Sequence, residues 1–194
     1  MLRYVITGAP GAGKTAVLEL LRARGYPVVE EAATDVAADR MARGDDEPWR
    51  NPDFLDSITA LQRERQERPA PPGTAVQLYD RSPICTLALA QHLGLPVTPA
   101  LAGEVARVVR ERTYQSRVFF VRLLGFVTPT AVRRITYPDS VRFEGFHERA
   151  YRAHGYELVE VPAGTVAERA DLVEAHLAGY GDRGPRTRPD GVTA

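Results

Sequence analysis

Residues Gly8 to Thr15 read GAPGAGKT and stand between the apolar run Leu2-Arg3-Tyr4-Val5-Ile6-Thr7 and the helical pattern Ala16-Val17-Leu18-Glu19-Leu20-Leu21. This is G-x-x-x-x-G-K-[ST] in the strand–loop–helix order that gives the pattern its meaning. Glycines at Gly8, Gly11 and Gly13 let the backbone curl until successive N–H groups converge on an anion. The helix that follows adds its unpaired amides and the positive end of its dipole. Lys14 can then reach the β- and γ-phosphates, and the Thr15 hydroxyl can take a place on Mg²⁺. Ala9, Pro10, Ala12 and Ala16 complete the segment whose backbone would line such a cradle. The pattern implies a site for ATP or another nucleoside triphosphate with Mg²⁺. No N/T-K-x-D segment that would select guanine occurs.

The chain has 194 residues, 44% of them hydrophobic, which suits one α/β domain with a real core. Lys plus Arg and Asp plus Glu are equal at 25 each, so charge gives no reason to expect nucleic acid or a membrane as partner. Lys14 is the single lysine, a point charge kept where a phosphate contact is expected. Cys85 is the single cysteine, which rules out an internal disulfide and a cysteine metal cluster. It lies in Ile84-Cys85-Thr86-Leu87-Ala88 and reads as a small buried hydrophobe. The chain opens on a strand rather than a signal-type segment, and no apolar stretch is long enough to span a bilayer. The expected location is the cytoplasm, and the oligomeric state is left open.

Apolar, β-branched runs alternate with helical patterns, the signature of βαβ units around a parallel sheet. Strands are predicted at Leu2–Thr7, Val28–Glu30, Ala75–Asp80, Arg117–Leu123 and Tyr156–Val161. Helices are predicted after the glycine-rich loop to about Arg24, from about Ala32 to Ala42, from Pro52 or Asp53 to Arg68, and over about Pro83–Leu93. Further helices are expected from Pro99 to about Arg112, over Ser140–His154 and over Thr165–Ala178. Residues 125–138 read as an arginine-bearing loop. Residues 1–178 form the expected domain, and residues 179–194, rich in Gly, Pro, Arg and Asp, form a mobile tail.

Three further features bear on chemistry. Asp80-Arg81-Ser82 ends the third strand, and the carboxyl ends of parallel strands face the ligand crevice. Asp80 can hold Mg²⁺ through water, Arg81 can brace a substrate, and Ser82 suits the cap of the next helix. An ATPase-type pair would read Asp-Glu, whereas an arginine follows Asp80 here. Glu30 and Glu31 end the second strand, and strand alternation turns only one of them inward to orient or deprotonate an acceptor hydroxyl. Arg133, Arg134 and Arg142 follow the fourth strand and could neutralise charge on a transferred phosphoryl group, or each lie on a solvated surface, with Arg142 instead pairing with Asp139 and Glu144. His147, Tyr151 and His154 share a helix with Phe143, Phe146 and Ala150 and read as packing. Arg63 to Arg68 read as a solvated face, and Trp49 suits either stacking on a substrate ring or packing at a rim.

With these motifs in order the chain resembles small P-loop kinases, the deoxynucleoside and nucleoside-monophosphate kinase group. More closely, over residues 2 to about 175, it is similar to small bacterial AAA-family ATPases. The carriers are GAPGAGKT, Gly25-Tyr26-Pro27-Val28-Val29-Glu30-Glu31-Ala32, Asp80-Arg81-Ser82 and the late HGYELVEVPAG from His154 to Gly164. The resemblance implies a P-loop three-layer sandwich, five parallel strands in order 2-3-1-4-5, and an arginine-bearing lid. It implies a base at Glu30 or Glu31, a Mg²⁺-associated acid at Asp80 and an acceptor-side arginine at Arg81. The function expected is an ATP- and Mg²⁺-dependent phosphotransferase acting on a small hydroxyl- or phosphate-bearing acceptor. The alternative is a nucleotide switch that hydrolyses slowly and acts on a partner protein.

Overall fold

The computed structural model describes residues 1–126 and 135–179. Parallel strands β1 (Leu2–Thr7), β2 (Val28–Val29), β3 (Val76–Asp80), β4 (Arg117–Val121) and β5 (Glu157–Val161) form one sheet in the order β2-β3-β1-β4-β5. Helices α1 (Lys14–Ala23), α2 (Ala32–Ala42), α3 (Pro52–Glu67), α4 (Pro83–Leu93), α5 (Pro99–Arg110), α6 (Tyr137–Ala153) and α7 (Val166–Ala178) cover both faces. The expected strand order and three layers are those observed.

Alternation along β1 sorts its side chains between two cores. Tyr4 and Ile6 pack on one face with Val17, Leu18 and Leu21 of α1 and Ala170 and Val173 of α7. Val5 faces the other way, among Ile84 and Ala88 of α4 and Phe143 and Tyr151 of α6. Burial on both faces is why the strand reads as a nearly unbroken apolar run. Leu21 is fully buried, worth roughly 1.5–3 kcal/mol in removed apolar surface. Helix α4 is apolar nearly all round because α3 and α5 lie over it, with Leu55, Leu87, Ala90, Leu101 and Val105 forming a second-tier cluster.

Most boundaries fall within two residues of expectation, and the differences have local causes. Helix α6 begins at Tyr137, three residues early, because Thr136 caps it: its hydroxyl accepts the Asp139 amide at 3.3 Å. Pro138 sits in the first turn, where a missing N–H does no harm. Strand β2 stops at Val29, one residue early. A short 3-10 turn at Pro48–Arg50, not foreseen, carries Trp49. The 179–194 tail lies outside the described residues apart from Gly179.

The glycine-rich loop leaves β1 beside β4, where Thr7 stands opposite Phe120. Gly8 has φ +143°, and a Cβ placed on it would come 2.3 Å from the carbonyl oxygen of Val121. Backbone blocks that space, so neither a rotamer change nor a side-chain shift can relieve it. Gly8→Ala should lower stability by about 2–4 kcal/mol in chemical denaturation. A loss below about 0.5 kcal/mol would show that the loop leaves β1 by another path.

Candidate active site

The loop is closed on itself. The Ala12 amide donates to the Ala9 carbonyl at 3.2 Å, and Gly13, at φ 76° and ψ 20°, is the left-handed residue that turns the chain into α1. Lys14 opens the helix and is 6% exposed; its Nζ donates back to the carbonyls of Gly8 at 3.0 Å and Ala9 at 3.3 Å. Its ammonium thus lies over the turn that the sequence assigned to phosphate. Thr15, on the next residue, is exposed.

Register places the acidic triplet beside this loop. Ile6 stands opposite Asp80 in the β1–β3 pair, and the Arg81 amide extends the pairing by donating to the Ile6 carbonyl at 3.1 Å. Arg81 holds φ 73°, a left-handed backbone that costs a bulky side chain of order 1 kcal/mol and recurs at functional sites. Asp80 is 9% exposed, and its buried Oδ1 has no hydrogen-bond partner among the described residues. Burial, reinforced by the Glu31 charge, raises its carboxyl to about 6, with Lys14 and Arg81 opposing. A buried acid with an unanswered oxygen fits a hard cation, as does the exposed hydroxyl of Thr15, so Mg²⁺ suits this pair.

The two glutamates separate. Glu30 points to solvent, its side chain 60% exposed, and pairs with Arg22. Glu31 turns inward, its side chain 16% exposed, and forms an ion pair with Nε of Arg81. Thr34 donates its hydroxyl to Glu31 Oε2 at 2.7 Å. The other side of the Arg81 guanidinium donates from Nη1 to His147 Nε2 at 2.9 Å. His147 Nδ1 donates in turn to the Phe143 carbonyl at 3.0 Å, so the ring is the neutral Nδ1–H tautomer. Its complete burial and the Arg81 charge hold it well below the usual imidazole range.

Three sequence readings need correction here. His147 packs as expected, but it is also a hydrogen-bond support for Arg81, a role without any metal constellation to announce it. Ser82 occupies the cap position of α4, yet its hydroxyl bonds the Tyr151 hydroxyl at 2.7 Å instead of a helix amide. Tyr151 also meets Cys85 Sγ at 3.1 Å, and Cys85 meets the Thr7 hydroxyl at 3.1 Å, so a buried polar chain fastens α6 to β1 through α4. The Arg63–Arg68 face is only partly solvated: Arg65 reaches the Glu30 carbonyl at 2.8 Å, and Gln66 is 3% exposed. Arg142, with its side chain 72% exposed, pairs with Asp139. Arg133 and Arg134 lie outside the described residues.

A cavity of about 370 Å³ runs from Pro10 of the loop past Glu31 and Arg81 and is walled by Trp49, Phe54 and Phe143. Sequence reading missed most of this wall. His92 stacks on Phe143 with ring centroids 4.6 Å apart, and Gln62 accepts from the Thr86 hydroxyl at 3.0 Å within it. Only the packing of α3, α4 and α6 brings these residues together. Among the described residues no helix is long and apolar enough to cross a membrane, and no group of three or more His, Cys, Asp or Glu could hold a metal ion.

The family model described as "AAA domain" matches residues 3–169. The chain belongs to that family. Among curated proteins no sequence match is found. Solved structures of deoxyadenosine kinase from M. mycoides share the fold. The one with the products dCMP and a flexible dCDP bound has a TM-score of 0.58 at 12% identity, covering 92% of this chain and 100% of that one. The one with bound dCTP gives 0.56 at 12% identity with the same coverage. The one with bound dATP gives 0.53 at 13% identity, covering 91% of this chain and 100% of that one. This member of the AAA domain family therefore has the fold of a P-loop nucleoside kinase.

The folded state holds the Asp80 proton more tightly than the unfolded chain, whose carboxyl has the ordinary value of 3.8. Between there and about 6 the folded form binds more protons, so its stability falls as pH rises through that window. Asp80→Asn should remove most of this fall and raise metal-free stability above it by on the order of 1–2 kcal/mol. Denaturation curves across the window check this; an unaltered pH slope in the variant would mean Asp80 is solvated.

Proposed function

We propose that the protein is a Mg²⁺-dependent phosphotransferase that moves the γ-phosphoryl group of ATP, or another nucleoside triphosphate, to a hydroxyl of a small, uncharged, ring-bearing acceptor. The observation that carries this reading is the Glu31–Arg81 pair lining one cavity together with Pro10 of the phosphate loop. The aromatic walls suit a flat apolar body. Arg81 is the only Lys or Arg among the described residues lining the cavity, and Glu31 already neutralises it. A phosphate-bearing acceptor would find no spare charge on these walls, which favours the hydroxyl-bearing half of the expectation.

Lys14 and the loop amides would hold the triphosphate while Glu31 orients the acceptor hydroxyl. The bond between acceptor oxygen and phosphorus forms as the bridging oxygen–phosphorus bond breaks. The electron pair of the broken bond leaves on the diphosphate, and the acceptor proton passes to Glu31. Arg81 would keep the Glu31 carboxylate aimed at the acceptor, and His147 would keep Arg81 in place. Thr15 and Asp80 would hold Mg²⁺, which offsets charge on the phosphate oxygens when bound. Positioning and charge stabilisation supply most of the rate in such transfers.

Incubation with ATP, Mg²⁺ and a panel of nucleosides and other ring-bearing alcohols should give a phosphorylated product by mass spectrometry, with the matching monophosphates inert. Acceptor-independent hydrolysis without such a product would overturn this reading in favour of a nucleotide switch. In a productive assay Lys14→Ala should reduce turnover by at least about 100-fold. Glu31→Gln should reduce kcat by roughly 100- to 10,000-fold, while Glu30→Gln stays within about twofold. Equal losses from the two glutamine variants would remove Glu31 from the role of base.

A further inference from the structure

Among the described residues two arginines are almost completely buried, and they are compensated differently. Arg81, at 7% exposure, faces Glu31. Arg169, on the first turn of α7 and at 3% exposure, faces only carbonyl groups among the described residues. Its Nη1 donates to the Ala12 carbonyl inside the phosphate loop at 2.7 Å, and its Nη2 donates to the Arg122 carbonyl beyond β4 at 2.8 Å. Its Nε is buried without a hydrogen-bond partner. Burial lowers the proton affinity of Arg169, and no carboxylate among the described residues opposes that effect. A full charge removed from water and met only by carbonyl dipoles is under-compensated.

The carbonyl it holds shows what it does. Ala12 C=O and Gly13 N–H belong to one peptide unit, and no cis peptide occurs among the described residues, so the two groups point in opposite directions. A donor fixed on the carbonyl turns the Gly13 amide away from α7 and polarises it further. The fit is close: a Cβ on Gly13 would sit 3.0 Å from Arg169 Nη1. We infer that Arg169 is a positioning residue for the polyphosphate. It braces the Ala12–Gly13 peptide from behind and places an unneutralised buried cation behind the cradle, which the phosphate charge then offsets. This inference rests on the triphosphate reading of the loop.

The test uses calorimetry with ATP, inorganic tripolyphosphate and pyrophosphate on the full chain and on Arg169→Gln and Arg169→Lys. Wild type should bind tripolyphosphate. Arg169→Gln should bind it about tenfold more weakly, with a smaller loss for pyrophosphate, because the interaction scales with ligand charge. Its KM for ATP should rise while the KM for the acceptor is unchanged. Arg169→Lys keeps the charge and should remain within about threefold of wild type for tripolyphosphate. A folded Arg169→Lys that loses as much as Arg169→Gln, or tenfold when the glutamine variant does not fold, would overturn the charge role. Lower thermal stability in Arg169→Gln with unchanged phosphate affinity would reduce Arg169 to a structural brace. If wild type binds none of the three ligands, the triphosphate reading itself fails; if it binds them all and both variants match it, only the role of Arg169 falls.

Discussion

The parallel pairing of β1 with β3, in a register that puts Ile6 opposite Asp80, is the constraint on which the site depends. Both strands end at the same edge of the sheet, so the turn leaving one and the acid closing the other are delivered together. The hydrogen bond from the Arg81 amide to the Ile6 carbonyl carries that pairing one residue past the sheet. A slip of one residue would turn Asp80 and every core side chain of β3 to the opposite face. Burial of Tyr4, Val5 and Ile6 against two separate cores makes such a slip prohibitive. Strand β2 is held to the same frame by Val29 opposite Tyr79, which is why Glu31, two residues further on, reaches Arg81.

Arg81 joins elements that are distant in sequence. Its backbone belongs to the end of β3, its Nε side meets a glutamate at the start of α2, and Nη1 meets a histidine in the middle of α6. The left-handed backbone and the buried charge are both costly, and the surrounding packing over-determines them. The chain Thr7–Cys85–Tyr151–Ser82 does part of that work, because it locks α6 against the sheet so that His147 cannot drift. The arrangement makes Arg81 rigid, which suits the proposed role of aiming a carboxylate rather than following a substrate.

The two ends of the cavity follow different physical logic. The end proposed to hold phosphate is built from backbone amides, glycine conformations and one lysine, all supplied by a contiguous stretch from Gly8 to Thr15. The end proposed for the acceptor is built from side chains of the second, third, fourth and sixth helices, whose contacts are long-range. The first can be shared by proteins with little else in common; the second gives each protein its own selectivity.

This difference sets how much could be read from the chain. Sequence order alone specified the phosphate loop, the alternation of strands and helices, and Asp80 at the tip of a buried strand, since each depends on local periodicity or a contiguous motif. The residues themselves put the candidate base at Glu30 or Glu31, and the resemblance to P-loop kinases agreed and supplied the strand order. Tertiary structure decided between their placements: Glu30 goes to solvent and Glu31 to Arg81, because β2 ends at Val29 and α2 starts at Ala32. It also revealed His147 under Arg81, the hydroxyl of Ser82 turned away from its helix, and Arg169 behind Ala12. Those partners lie 66, 69 and 157 residues apart, and no local pattern encodes such separations. What a side chain contributes across the core depends on the packing of whole elements, and that becomes determinate only once the sheet and its layers have closed.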